Sequence, residues 1–520
     1  MSLRVVLAEG IAEGAAFRES LDALARDRVA SRVFLQDATL WGPEAEAEAS
    51  IRLGWTDFAG AAEQLIPAIE GLRSEFAAAG VDRIVLCGMG GSSLAPAVIT
   101  RWAGVELTML DTTHPAAVRR ALEGDLARTA VVVSSKSGST IETRSHLAAF
   151  EQAFRDAGIA PESRIVIVTD PDSPLDRDSR AAGRHVFNAD PNVGGRFSAL
   201  TAFGLVPSGL AGTDLAKLVG EAQGTREALA RDAHDNPALV LAAAIASGLP
   251  ERYVLAVRAG DDADWQLGAW IEQLIAESTG KDGRGVLPVS LTGTAPEFSD
   301  DAPVNVLGVL LSAGTASTPA SGVAVSGGLG EQFLLWETAT AALGRLMGID
   351  PFNQPDVESA KVAARAALAE AASASETAAQ QPNVPDYGSL LGELRSALPA
   401  GGYVVIQAFL DPGATHAASL RELRDRLASD LGAPVALGWG PSYLHSTGQL
   451  HKGGPAKGAY LQIVDAEPGS LAIPGSESGF DALIAAQARG DRDVLVERGR
   501  PVITVVCGDA EAELARLAAS

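Results

Sequence analysis

Between residues 83 and 188 short apolar runs alternate with segments of helical spacing, and no other feature of the sequence narrows the fold as much. RIVLCG (83–88), ELTMLD (106–111), AVVVSS (130–135) and RIVIVTD (164–170) are apolar stretches of strand length, and HVFN (185–188) reads as a fifth. Continuous apolar strands are covered on both faces, as in a parallel sheet. Residues 95–103, 115–121, 141–157 and 175–182 lie between them with apolar positions three and four apart, the spacing of helices. Strand, helix and strand at this interval predict a parallel, doubly wound α/β sheet.

The same alternation recurs later in the chain. Residues 1–80 read as an N-terminal helical segment, with helices over 15–27 and 57–79, and 81–212 hold the first α/β unit. Residues 213–358 open a second unit, with helices over 214–231, 236–247 and 330–348 and strands at 253–260, 286–291 and 304–311. Residues 359–384 are Ala-rich and read as a surface helix grading into a linker. Strands at 403–410, 434–440, 459–465 and 501–508 make 385–520 the remainder of the second unit with a C-terminal extension.

Charge and composition decide which partners fit. A net charge of −24 repels nucleic acid and anionic lipid, so neither is expected as a partner. An anionic substrate then needs local attraction from backbone N–H groups and a few placed cations. The longest apolar stretches, 238–245 and 304–311, are too short to span a bilayer, and the opening residues lack the pattern of a secretory signal. Cys87 and Cys507 are too few for a disulfide framework and form no CxxC pair, which points to a reduced, cytoplasmic compartment. The seven histidines show no HxH or HExxH spacing, so neither a metal nor another cofactor is expected.

Three segments carry chemistry on their own residues. GMGGSSLAP (88–96) follows a strand and leads into a helix, where glycines admit a ligand to the backbone and the helix start offers N–H donors to an anion. It approaches a dinucleotide fingerprint, with Asp111 ending the next strand, but Ser93 stands where the third glycine belongs. SSKSGSTIET (134–143) puts five hydroxyls, a lysine and a glycine into its first seven residues, a set suited to a phosphate monoester. NVGGRFSALTAFGLVP (192–207) pairs two glycines with a fixed cation, Arg196.

These stretches resemble known ones. SSKSGST is similar to the phosphosugar-binding loop of sugar isomerase (SIS) domains, and the GGRFS stretch resembles a signature of the phosphoglucose isomerase family. AESTGKDGRGVLP (276–288), FNQPDVESAK (352–361) and LHSTGQ (444–449) resemble the family's other motifs, so the likeness runs from about residue 80 to 450. LHSTGQLHKGGP and the C-terminal extension look like the isomerase half of transaldolase–phosphoglucose isomerase fusions; no transaldolase portion is present, so that activity is not expected. Two departures stand out. Asp356 occupies the place of a small residue, and the order is Glu277, Lys361, His445, whereas the family's histidine usually lies between the other two.

The resemblance implies two SIS-type (flavodoxin-like) doubly wound parallel-sheet domains with additional helices. It also implies a metal-free glycolytic and gluconeogenic enzyme interconverting glucose 6-phosphate and fructose 6-phosphate. Glu277 would be the proton-transferring base, Arg196 the charge stabiliser, His445 the ring-opening group and Lys361 its neighbour at the ring oxygen. Ser135, Lys136, Ser137, Ser139 and Thr140 would hold the phosphate, with Gly91, Ser92, Gly195 and Gln354 also at the substrate. His451 reads as structural. Family members are dimers sharing the histidine, which implies a homodimer, although the moved His445 leaves supply from the same chain open. A bifunctional phosphoglucose/phosphomannose isomerase, a non-catalytic SIS phosphosugar sensor and an NAD-dependent dehydrogenase are the alternatives.

Overall fold

The computed structural model describes residues 3–293, 295–299, 301–314, 319–356 and 381–519. Lys361 and all but the last residue of the Ala-rich stretch 359–381 lie outside the described residues. The N-terminal segment, helical by its spacing, opens instead on a short strand, β1 (Arg4–Leu7).

The first sheet holds β2 (Arg83–Gly88), β3 (Thr108–Leu110), β4 (Thr129–Ser134), β5 (Ile165–Thr169) and β6 (His185–Asn188), all parallel, in the order β3-β2-β4-β5-β6. Alternation along each strand feeds two cores. Ile84 and Leu86 join one cluster, and Val85 and Cys87 join another on the opposite face. The winding reverses between β2 and β4, where Gly88 is paired in register with Ser134. The glycine loop and the hydroxyl loop therefore leave the carboxyl edge side by side, at the position where open α/β sheets bind ligands.

The second sheet contains β7 (Val254–Ala259), β8 (Leu287–Leu291), β9 (Val306–Ser312) and β10 (Val323–Ser326), parallel to one another, with β1 antiparallel on the β10 edge. β1 and β10 are four residues each, too short for a readable pattern, and pairing is what makes them strands. The parallel, doubly wound α/β architecture is as expected.

The later strands differ from expectation. β11 (Tyr403–Phe409), β12 (Val435–Trp439), β13 (Gly458–Asp465) and β14 (Val502–Cys507) form a third parallel sheet, β12-β11-β13-β14, rather than extending the second. The reason lies in the two faces of β11. Val404, Ile406 and Ala408 enter a core of their own, while Tyr403 and Val405 pack on Val254, Ala256, Leu287 and Val289 of the second sheet. The third sheet thus lies face-on against the second. It is also tied to the first unit, through a two-pronged Arg120–Asp411 ion pair with both contacts at 2.8 Å. Among the described residues no helix is long and apolar enough to cross a membrane.

Candidate active site

The hydroxyl loop joins β4 to the helix Ile141–Asp156. Ser135, Lys136, Ser137 and Thr140 line an open cleft of about 340 Å³. Ser135 Oγ donates to Thr140 Oγ1 at 3.1 Å. Ser139 does not line the cleft; its hydroxyl lies 3.0 Å from that of Ser137 and its N–H donates to the same atom. Thr140 makes no side-chain cap, so the first N–H groups of the helix are left for another acceptor. Lys136 is already paired, with Nζ 2.6 Å from Asp170 Oδ2 and donating to Pro191 O at 3.3 Å.

Gly91, Ser92, Gly195, Arg196, Gln354, Glu277 and His445 line the same cleft. Arg196, on the turn Gly195–Phe197, is buried with all three nitrogens engaged. Nε donates to Ser278 Oγ at 2.7 Å, Nη2 to Pro351 O at 2.7 Å, and Nη1 to Gln354 Oε1 at 2.9 Å, with Glu277 Oε1 3.2 Å from Nη1. Glu277 sits in the last turn of the helix Leu267–Thr279. Its Oε2 accepts from Gln273 Nε2 at 3.1 Å, and that amide also donates to His445 O at 2.8 Å. His445 closes the turn Ser442–His445 beyond β12, and its Nε2 lies 3.1 Å from Glu142 Oε1.

Two glycines let these pieces meet. An added Cβ at Gly90 would lie 2.5 Å from His445 O, and one at Gly91 would lie 2.1 Å from Gly195 O. Only a residue without a side chain allows such approach of three backbones.

No protein-family model matches the sequence. A probable glucose-6-phosphate isomerase from Haloarcula marismortui is 36% identical over 230 residues, 42% of this chain and 52% of that protein. One from Natronomonas pharaonis is 32% identical over 342 residues, covering 55% of this chain and 79% of that protein. The chain belongs to the glucose-6-phosphate isomerase family. Its match to the Haloarcula member spans about half of that member's length. A hypothetical protein from Thermus thermophilus superposes with a TM-score of 0.61 at 25% identity, over 71% of this chain and all of the other. A glucose-6-phosphate isomerase from Chlamydia trachomatis shares the fold, with a TM-score of 0.51 at 20% identity over 67% of this chain and 79% of that one. The expectation of membership in this family is borne out.

Sequence reading gives no role to several groups at the site, although Glu142 and Lys281 lie within recognised motifs. Glu142 is buried and accepts from Gln487 Nε2 at 2.8 Å as well as facing His445. Burial alone pushes its carboxyl up, but the charge and hydrogen bond of His445 outweigh this and hold it below the usual range. Gln273 lies one turn before Glu277, so helical spacing points to it once the helix is known. Lys281 is buried, with Nζ donating to Asp350 O at 2.6 Å and to Asn353 O at 2.7 Å; burial, then the Arg196 charge, pulls its pKa down to about 7.

Other sequence candidates fall away from the cleft. His451 is enclosed by Tyr403, Tyr443 and Tyr460, and burial pulls its pKa down to about 3. The Asp111 carboxylate accepts from Ser442 Oγ at 2.8 Å, so it is not presented to a ribose as a dinucleotide site requires. Among the described residues, no three His, Cys, Asp or Glu side chains converge as metal ligands.

Proposed function

We propose that the chain interconverts D-glucose 6-phosphate and D-fructose 6-phosphate by ring opening and proton transfer through a cis-enediol. The observation carrying this proposal is that Glu277, Arg196 and His445, from three distant stretches of chain, line the same cleft as the hydroxyl loop. The phosphate is held by the hydroxyls of Ser135, Ser137 and Thr140, by the N–H of Lys136 and by those at the helix start, with Ser139 acting through Ser137. Because Asp170 holds the Lys136 ammonium, neutral donors do most of this binding. Gly91, Ser92, Gly195 and Gln354 meet the sugar.

His445 exchanges the proton that opens the ring, held in place by Glu142 and assisted by Lys361 at the ring oxygen. Glu277 then takes the proton from C2 and returns it to C1, while a hydroxyl proton passes in the same sense from O2 to O1, leaving the carbonyl at C2. A general base contributes roughly 10²–10⁴-fold. Arg196 balances the negative charge on the enediolate, and loss of one such charge-stabilising donor costs about 10²–10³-fold. No cofactor enters this scheme.

We place the enzyme in the cytoplasm, supported by two cysteines that are buried and unpaired. The homodimer that the family resemblance implies is not required for turnover, because His445 and Glu277 come from one chain. The test is fructose 6-phosphate supplied to EDTA-treated protein, with glucose 6-phosphate followed through a coupled dehydrogenase. Turnover is expected. Calorimetric binding of fructose 6-phosphate with no turnover refutes the isomerase and restores the sensor.

A further inference from the structure

One buried amide ties together three segments of the site. Gln449 lies on the short helix Gly448–Gly453, four residues past His445, and is fully buried. Its Nε2 donates to Gly280 O and to Asp356 Oδ2, both at 2.8 Å, and its Oε1 accepts from Asp356 N at 2.9 Å. Gly280 directly follows the helix that carries Glu277. Asp356 is two residues past Gln354, whose amide oxygen accepts from Arg196. Arg498 holds the other oxygen of Asp356 and also donates to Lys452 O.

The surrounding backbones are packed to make these bonds possible. An added Cβ at Gly280 would lie 2.4 Å from Leu450 Cα, and one at Gly453 would lie 2.1 Å from Asp356 Oδ2 and 2.8 Å from Gly280 O. Lys281 reaches the start of the same loop through Asp350 O and Asn353 O. The loop 350–356 is therefore pinned at both ends from the pair Gly280–Lys281, and at one end the link passes through Gln449. A buried amide with its bonds filled tolerates little sliding, because any slip leaves polar atoms unpaired away from water.

We propose that Gln449 and Asp356 are positioning residues for the isomerisation, their clamp on Gly280 setting the separation of the Glu277 helix, the Gln354 loop and the His445 turn. The proposal rests on the isomerase function above. Neither residue lines the cleft, and neither is near the hydroxyl loop in sequence, so the clamp acts on the chemical step and leaves phosphate binding alone.

Gln449→Glu sets a second carboxylate beside Asp356 and removes the donor to Gly280 O; adding Asp356→Asn restores a donor–acceptor pair. With fructose 6-phosphate as substrate, Gln449→Glu is expected to lower kcat about tenfold to a hundredfold with KM within about twofold. The Asp356→Asn/Gln449→Glu double variant is expected to regain at least about fivefold in kcat. If Gln449→Glu does not fold, Gln449→Met, uncharged and of similar length, is read for the same separation of kcat from KM. A folded Gln449 variant with kcat within about twofold of the unaltered chain overturns the proposal, as does KM rising in step with the fall in kcat. So does a double variant no faster than Gln449→Glu. A failure of the isomerase function itself appears differently, as an unaltered chain that does not turn over fructose 6-phosphate.

Discussion

Gly91→Ala is the smallest change that should disable the site. The new Cβ would lie 2.1 Å from Gly195 O, 2.4 Å from its C and 3.0 Å from its Cα. All three are backbone atoms, so no side-chain rotation makes room. Ordinary contact is about 3.5 Å, so the β2 loop and the Arg196 turn have to part by roughly 1 Å or more. The Arg196 contacts with Ser278, Gln354 and Glu277 lie between 2.7 and 3.2 Å, and a shift of that size breaks them. We expect kcat to fall about a hundredfold and stability to fall by about 1–3 kcal/mol. The coupled dehydrogenase assay reads the first and urea unfolding the second. Gly194→Ala is the control, since its Cβ meets only the side chains of Arg52 and Phe197, at 3.7 and 3.8 Å. That variant should keep kcat within about threefold. A Gly91→Ala enzyme with near-normal kcat, or a Gly194→Ala enzyme equally damaged, refutes the close-approach argument.

Glu277→Gln should lower turnover by about 10²–10⁴-fold while keeping affinity for a phosphate-bearing competitive inhibitor in calorimetry; loss of that affinity would make the residue structural. His451, held at about 3 against 6.5 when unfolded, stays neutral in the fold while the unfolded chain takes up a proton below pH 6.5. Its contribution to stability is intact above pH 6.5 and falls as pH drops toward 3, by up to about 1.4 kcal/mol per pH unit. In urea titrations between pH 6.5 and about 4, His451→Phe should lose stability less steeply than the unaltered chain, and equal slopes would count against this account. Because His445 and Glu277 share one chain, specific activity should hold constant over about a hundredfold dilution. A loss that follows subunit dissociation would mean that a second copy completes the site.

Legible in the sequence is what neighbours along the chain encode. The strands β2, β4, β5, β11 and β13 show as apolar runs because parallel strands are buried on both faces. The helix expected over 141–157 is found at Ile141–Asp156, one residue shorter, since its period repeats over several turns. The hydroxyl loop is readable because its chemistry is packed into seven residues. The helix Leu267–Thr279 is not readable: it is buried on nearly every side, so it carries no apolar stripe, and Gln273 is missed with it. In the same way, nothing in the apolar pattern of β11 says whether it extends the second sheet or founds a third. Glu142 stands inside a motif read from sequence, yet its partner His445 is 303 positions away, and the expected cation Lys136 is taken by Asp170. Residue order thus settles which chemical groups are available and where the phosphate loop lies. Packing in three dimensions settles which charges are paired, which backbones touch and that His445 reaches the cleft from its own chain, because those outcomes depend on how separate cores meet and not on any local period.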